Sequence, residues 1–184
     1  SLEESGLADS TYVFYSADHG LGVGHHGLLG KQNLYEHSTR VPFIVQGPGI
    51  PKGKQIEAPI YLQDVMPTSL ALAGLDKPKH VEFQDVLPLA RGDTKKSPYK
   101  EIYGAYLSAQ RSITVKDLKL IVYPDVPIMR VYDLAKDPFE VNDLASTPKG
   151  KEAIGKLFPR LLKLQKKMGD KLDLRKSFPS LAKN

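Results

Sequence analysis

A carboxylate and an imidazole stand side by side where a short apolar run ends. Asp18 and His19 follow Thr11–Ala17, and Gly20 comes next. One oxygen and one nitrogen ligand form part of a donor set for a divalent cation, and ligands commonly bind where a strand of an open α/β sheet ends. Because two ligands do not complete a metal site, the others must come from elsewhere in the fold. An aspartate cap beside a hydrogen-bonded histidine is the alternative interpretation.

Further polar residues of interest lie in the glycine-rich segment that follows. Lys31 comes directly after Gly30, and an ammonium group beside a flexible backbone is a compact partner for an oxyanion. His25 and His26 lie between two glycines, and such imidazoles can donate protons or contact a substrate. A surface lysine and two loop histidines are the alternatives.

Glu36 and Arg40 lie four residues apart. This is the spacing of an ion pair on one face of a helix, so a structural role is the simplest prediction for both. Neither a serine-nucleophile motif nor a phosphate-binding P-loop occurs in the sequence. Nucleophilic chemistry by a cysteine of this chain is also excluded, because the chain contains no cysteine.

Two buried strands and a helix are predicted to position these residues. Thr11–Ala17 and Val41–Gln46 are short apolar runs, typical of strands that are covered on both faces in a parallel sheet. The connection between them is rich in glycine and histidine, and loops of this kind are where functional sites concentrate. Asp64–Ala73 reads as a helix that Asp64 caps and Gly74 ends.

The pattern changes near Glu101. Four short strand-like runs separated by turns predict a small antiparallel sheet: residues 101–107, 112–115, 118–123 and 130–134. A helical pattern begins at Thr147–Pro148, and Pro159 predicts a kink in it or a division into two short helices. We therefore expect an α/β fold, with an α/β part over residues 1–95 that ends a larger parallel-type sheet and a small antiparallel sheet with a C-terminal helix over residues 96–184.

The charge is unevenly distributed along the chain. Residues 1–148 carry 15 Lys/Arg against 18 Asp/Glu, whereas residues 149–184 carry 11 against 3, which places a net charge of +8 in the C-terminal tail. A solvated helix face explains this pattern, and an arm that binds anionic polymers is the alternative. No run approaches the roughly 18 apolar residues that a transmembrane helix needs, so we expect no membrane segment.

A series of motifs resembles the conserved block of the sulfatase family, within the alkaline-phosphatase superfamily. The matching segments cover most of residues 11–145 in family order. They are Ser16–Gly20, Gly24–Gly27, Gly30–Lys31, Tyr35–Glu36, Arg40–Pro42, Asp64–Thr68, Leu72–Leu75, Gln110–Arg111, Lys119–Ile121, Tyr132–Leu134, Asp137–Pro138, Glu140 and Asn142–Ala145.

The resemblance implies a role for each candidate residue. Asp18 and His19 match two ligands of a divalent cation, usually Ca²⁺, with Mn²⁺ or Mg²⁺ as alternatives. Lys31 matches the lysine that binds the sulfate and stabilises the leaving group, and His26 matches a loop histidine near the substrate that we expect to assist catalysis. His25 is then a second substrate contact, and Glu36 and Arg40 match positions that hold the loop together.

The family's nucleophile, a formylglycine made from Cys or Ser, belongs to a segment that this sequence lacks, as does an earlier pair of aspartates. We therefore expect the chain to be the C-terminal part of a sulfatase, inactive alone and paired with a missing N-terminal half. The expected substrate is a small-molecule or polysaccharide sulfate ester, with no nucleic-acid partner, and a periplasmic or secreted location fits the family. A phosphonate monoester or phosphodiester hydrolase and a non-catalytic anion-binding module are the alternatives.

Overall fold

A computed structural model describes residues 1–181, which contain eight strands and five α-helices. The strands are β1 (Val13–Ser16), β2 (Gly22–Val23), β3 (Leu29–Gly30), β4 (Phe43–Gln46), β5 (Ile102–Tyr106), β6 (Gln110–Val115), β7 (Leu118–Tyr123) and β8 (Ile128–Asp133). The helices are α1 (Glu36–Thr39), α2 (Val65–Leu72), α3 (Leu87–Arg91), α4 (Pro148–Lys167) and α5 (Leu174–Ser177).

The described chain separates by packing into two compact units. The first comprises Ser1–Asp18 and Val41–Tyr99, and the second comprises His19–Arg40 and the chain from Lys100 onward. The boundary lies between Asp18 and His19, so the two residues that the sequence groups together belong to different units. The division of the protein into domains at residue 95 stays a prediction.

In the first unit, β1 and β4 pair with each other in antiparallel fashion. The expectation of strands covered on both faces of a parallel sheet is wrong for this pair, since Tyr15 and Ile44 are 62% and 59% exposed. Parallel neighbours need a long crossover, usually helical. The connection between β1 and β4 instead contains only the short β2–β3 hairpin and the single turn α1, and it returns the chain in the opposite direction.

Asp64 is the polar centre of the first unit. Its side chain is fully buried and accepts hydrogen bonds from the backbone N–H groups of Tyr61 (2.8 Å) and Gln84 (2.9 Å) and from the hydroxyl of Tyr99. The carboxylate thus stabilises the turn before α2 rather than the first N–H groups of α2 itself. Gly74 ends this helix region with a φ of +68°, as the sequence predicts.

The second unit contains the predicted antiparallel sheet, with its four strands in the order β5-β6-β7-β8. Alternate residues of a strand point to opposite faces. Leu120 and Val122 pack into one cluster with Leu157 and Phe158 of α4, whereas Ile121 packs with Tyr35 in a second cluster. The sheet is therefore covered on one face by helices and on the other by the segment that leads into α1.

Helix α4 runs unbroken through Pro159. The alternative of two short helices is wrong, although proline removes one backbone hydrogen bond from a helix and crowds the carbonyl four residues earlier. That carbonyl belongs to Gly155, which is exposed, so water can hydrate it. The burial of Phe158 and Leu161 against the sheet stabilises the helix on the opposite side. Among residues 1–181, no helix combines the length and apolar character needed to cross a bilayer.

Candidate active site

His19 and Lys31 are in direct contact within the second unit. The ring atom Nδ1 of His19 lies 2.9 Å from the carbonyl oxygen of Gly20, and Nε2 lies 2.6 Å from the Lys31 ammonium nitrogen. A carbonyl can only accept, so Nδ1 bears the proton and Nε2 presents its lone pair to the ammonium. Donation of one ring N–H to a backbone carbonyl is the arrangement that orients most metal-binding histidines.

The β2–β3 hairpin positions Lys31 and the two loop histidines. Gly22 pairs with Gly30 and Val23 with Leu29. Lys31, the residue directly after β3, therefore lies at the base of the hairpin. His25 and His26 form the turn at its tip, where His26 has a φ of +57°. This left-handed conformation is uncommon for a residue other than glycine and is frequent in functional loops.

Gly20 fixes the start of this loop against α1. Its N–H donates to the Ser38 carbonyl (2.9 Å), and a Cβ atom at this position would lie 2.0 Å from the carbonyl oxygen of His37. No larger residue fits without moving the backbone. The glycine in the Asp-His-Gly sequence is thus required by a close backbone approach that keeps His19 next to Lys31.

Aromatic stacking holds the tip of the hairpin over α1. The ring of His26 stacks on Tyr35 at a centroid distance of 3.9 Å and an angle of 9°. His37 stacks at 5.6 Å from both His25 and His26. Burial, together with the charges of His26 and His25, lowers the pKa of His37. The three imidazoles are therefore packed most favourably when His37 is neutral.

Glu36 pairs with Lys119 of β7 rather than with Arg40. The Lys119 ammonium lies 2.8 Å from Glu36 and 2.9 Å from Glu140, and Lys119 and Glu140 are almost fully buried. The expected ion pair between Glu36 and Arg40 is absent among residues 1–181. The helix α1 has only one turn, and Glu36 is turned towards the sheet where a buried cation must be neutralised.

A second hydrogen bond completes this network. Glu140 accepts from the backbone N–H of Glu36 at 2.6 Å, and Glu140 itself has a φ of +57°. Burial raises the pKa of Glu140, and the nearby Lys119 opposes that rise. The network anchors the loop at Glu36, the residue that begins α1.

Arg40 lines a cavity of about 200 Å³ together with His25, His37, Pro138, Phe139 and the two glutamates.

Asp18 lies in the first unit, two residues after the end of β1. Ser16, the last residue of that strand, donates its hydroxyl hydrogen to the Pro42 carbonyl (2.7 Å), which fixes the strand end. Within residues 1–181, no group of three or more His, Cys, Asp or Glu side chains is arranged to hold a metal ion. Asp18 and His19 can therefore supply only part of a cation site.

Comparison with known proteins identifies the family. Residues 24–167 match the family model described as N-sulphoglucosamine sulphohydrolase, C-terminal. The chain belongs to the sulfatase family. The match includes the tip and second strand of the hairpin, Lys31, α1, the four-stranded sheet and all of α4.

Individual sulfatases show the same relationship. Arylsulfatase K of Homo sapiens is 31% identical over 159 residues, and choline-sulfatase of Rhizobium meliloti (strain 1021) is 31% identical over 154 residues. These alignments cover 79% and 82% of this chain, but only 30% of each relative. The chain thus spans under a third of the length of these curated relatives.

Solved structures confirm the fold. The structure of BT4656 in complex with its substrate D-glucosamine-2-N,6-O-disulfate has a TM-score of 0.84 and 28% identity, and covers 92% of this chain and 37% of that one. The phosphonate monoester hydrolase from Silicibacter pomeroyi has a TM-score of 0.77 at 22% identity, over 95% of this chain and 38% of that one, which shows a shared fold. The predicted α/β sulfatase fold with its antiparallel sheet and C-terminal helix is confirmed.

The structure brings together the sulfatase residues that lie in the second unit. His19 contacts Lys31, and His25 and His26 form the tip of the same hairpin. The sequence motifs include Lys119 and Glu140, yet only the structure reveals that Lys119 forms ion pairs with both Glu36 and Glu140. An apolar strand interrupted by a lysine, as in Leu118–Tyr123, is the signal that could have indicated a buried ion pair.

Proposed function

We propose that this chain is the C-terminal part of a sulfatase that hydrolyses sulfate esters, to which it supplies Asp18, His19 and Lys31. The observation that supports the proposal most is the 2.6 Å contact between Lys31 and Nε2 of His19. This contact supports the proposal because it brings the Lys31 ammonium next to the imidazole that would bind a metal ion, and the ammonium would turn from Nε2 to the sulfate once the ion occupies that lone pair. An anion bound beside that ion would therefore lie within reach of Lys31.

Asp18 and His19 would hold one divalent cation. The hydrogen bond from His19 to the Gly20 carbonyl leaves Nε2 as the ligand atom, which fits this role. We propose Ca²⁺, with Mn²⁺ or Mg²⁺ as alternatives, and with the remaining ligands from the rest of the enzyme. The ion would offset negative charge on the sulfate and the nucleophile.

Lys31 would act on the ester oxygen that becomes negative as the sulfur–oxygen bond breaks. A preorganised cation contributes most where charge develops in the transition state. By resemblance to the family, the oxygen of a hydrated formylglycine attacks the sulfur, and the alcohol leaves with a proton. His26 would assist at this step and His25 would contact the substrate, since both lie on the hairpin that ends at Lys31.

The nucleophile would come from an N-terminal half that also covers the first unit. Tyr15 and Ile44 expose apolar side chains on the β1–β4 pair, and exposed apolar sheet faces usually mark a contact surface. A secreted or periplasmic location fits the same proposal.

A comparison of two substrates by the longer protein tests the reaction class, because phosphonate monoester hydrolases share this fold. We expect kcat/KM for 4-nitrophenyl sulfate to exceed kcat/KM for 4-nitrophenyl phenylphosphonate. The Lys31→Ala variant serves as the control for hydrolysis at this site, because it should lower both rates. A preference for the phosphonate that also depends on Lys31 would overturn the assignment to sulfate.

A further inference from the structure

Six exposed cations occur within residues 163–176, where α4 ends and α5 follows. They are Lys163, Lys166, Lys167, Lys171, Arg175 and Lys176, and we refer to them as the basic patch. Within the described chain, no carboxylate forms an ion pair with any of them. The positive charge of the C-terminal tail is therefore concentrated at one end of the second unit.

The cations in the first part of α4 differ from the basic patch. Lys149 pairs with Asp133 (2.7 Å), Lys156 with Glu152 (2.5 Å) and Arg160 with Glu101 (3.2 Å). Their charges are offset by the protein, whereas Lys151 in the same part of the helix is exposed. Within the described chain, three of the four cations in the first part of α4 therefore form ion pairs, in contrast to the basic patch.

The acidic residues near the basic patch are committed to structural hydrogen bonds. Asp170 binds Arg111 of β6 at 2.5 Å and accepts from Tyr103 of β5. Asp173 accepts from the N–H of Arg175 at 3.1 Å and caps α5. Asp170 is thus neutralised by the sheet, which leaves Asp173 as the one nearby carboxylate against six cations in residues 163–176.

Packing holds the basic patch in place. The rings of Phe158 and Phe178 meet edge to face at 5.7 Å, and Leu174 of α5 lies in the same buried cluster as Leu161 of α4. Lys163 and Lys167 are four residues apart, about 6 Å along the helix axis. The helices that carry the cations are therefore packed in the buried cluster and are not a free tail.

The charge at the end of a helix offers a simpler explanation for part of this surface. Cations in the last turn interact favourably with the helix dipole, which accounts for Lys166 and Lys167. Arg175 and Lys176 lie in the last turn of the short helix α5. A helix end does not account for Lys163, which precedes the last turn of α4, or for Lys171, which lies between the two helices.

We propose that the basic patch binds the chain of a sulfated polysaccharide, whose sulfate groups repeat along the polymer. This inference rests on the proposed function and names a polymeric sulfate ester as the substrate class. A polymer docked here would gain affinity from several weak ionic contacts along its chain.

Other anionic partners fit the surface less well. Single-stranded nucleic acid is usually bound by exposed aromatic rings on which bases stack, but the one aromatic residue in 163–181 is Phe178, which is buried. Insertion into a membrane surface requires a free apolar helix face, and that face of α4 is packed against the sheet.

Binding to immobilised heparin tests the inference on the 184-residue chain. The patch variant carries Lys163→Gln, Lys166→Gln and Lys167→Gln, and the matched control carries Lys52→Gln, Lys54→Gln and Lys95→Gln, three exposed lysines of the first unit. We expect the patch variant to bind at least about tenfold more weakly at low salt. The slope of log K against log salt should fall by about 2 to 3, because each lost contact releases close to one counterion fewer.

Three competitors distinguish the possible partners: fully desulfated heparin, a 20-nucleotide oligo(dT) and phosphatidylserine vesicles. We expect each to compete at least about tenfold less well than heparin. Equal heparin binding by the patch variant and the control, or competition by any of the three that matches heparin, would overturn the inference. Circular dichroism confirms that both variants remain folded. The proposed function is tested separately, because heparin binding does not depend on turnover.

Discussion

We propose that the single charge of Lys31 acts on both a metal ion and a substrate. Lys31 lies 2.6 Å from Nε2 of His19 and directly follows the second strand of the hairpin. In an enzyme that cleaves a sulfate ester, its charge would matter most when the leaving oxygen becomes negative. We therefore expect Lys31 to contribute to the chemical step more than to ground-state binding.

We expect Lys31→Ala in the longer protein to lower kcat by about 10²-fold or more, with a smaller change in KM, since one electrostatic contact in the transition state is lost. Steady-state kinetics with 4-nitrophenyl sulfate provide the measurement. Lys52→Ala, an exposed lysine of the first unit, is the control and should keep normal rates. An unchanged kcat in Lys31→Ala would remove this residue from the chemistry.

Lys119 stabilises the segment that begins α1, because its ammonium group is buried between the carboxylates of Glu36 and Glu140. We expect Lys119→Met to reduce the free energy of unfolding by about 3 to 5 kcal/mol, because the charges of Glu36 and Glu140 are left unpaired. Urea denaturation measures this loss. The exposed Lys116→Met serves as the control. Equal stability of the two variants would show that the buried lysine contributes nothing to the fold.

The sequence predicts these individual residues unevenly. The Asp-His-Gly and Gly-Lys motifs identify His19 and Lys31 as candidate site residues through the resemblance, but their direct contact is seen only in the structure. The i, i+4 spacing of Glu36 and Arg40 gives a wrong pairing, because the partner of Glu36 comes from β7, more than eighty residues later. Local spacing contains no information on such a long-range ion pair.

Asp170 connects the sheet to the helix layer at the scale of elements. Its carboxylate binds Arg111, accepts from the Tyr103 hydroxyl and accepts from the side-chain amide of Gln165 in α4 (3.1 Å). The Arg111 guanidinium, more than any other partner, holds the pKa of Asp170 well below its usual range. A group of this kind stabilises the folded state in its ionised form.

The sign of the pH effect follows from that lowered pKa. The contribution of Asp170 is complete above the unfolded pKa of about 3.9 and is lost as the pH falls below it towards the folded pKa. We expect Asp170→Asn to lower the unfolding free energy at pH 7 by about 3 kcal/mol and to flatten its fall between pH 5 and pH 3. Urea denaturation at a series of pH values measures both, with the exposed Asp125→Asn as the control. A parallel pH curve for Asp170→Asn would contradict this account.

Elements that depend on local pattern are the ones that the sequence predicts well. The four strands of the second unit follow from short apolar runs and from turns such as Lys116–Asp117. The pairing of β1 with β4 could not be predicted, because a continuous apolar run does not distinguish parallel from antiparallel neighbours. The continuity of α4 through Pro159 depends on tertiary packing of Phe158 and Leu161, which outweighs the local cost of proline.

At the scale of the whole molecule, the chain corresponds to under a third of the length of its sulfatase relatives. The described residues include the candidate site residues His19 and Lys31 in contact and an exposed apolar face on β1 and β4. Both features are expected of a part that functions together with a further portion of a larger enzyme.

We expect the isolated 184-residue chain to show no turnover of 4-nitrophenyl sulfate, because it contains no cysteine or serine in a formylglycine motif. A sensitive fixed-time assay with the longer protein as the positive control provides the measurement. Turnover by the isolated chain that disappears in its Lys31→Ala variant would show that the site is complete without a second portion.

The central claim is that Asp18 and His19 hold a cation beside Lys31, and metal content measured together with turnover tests it most directly. Inductively coupled plasma mass spectrometry would give the metal per protein for Asp18→Ala, Lys31→Ala and the exposed control Asp76→Ala of the longer protein. We predict that Asp18→Ala loses both the metal and turnover, that Lys31→Ala keeps the metal but loses turnover, and that the control keeps both. Full metal content with normal turnover in Asp18→Ala would contradict the account.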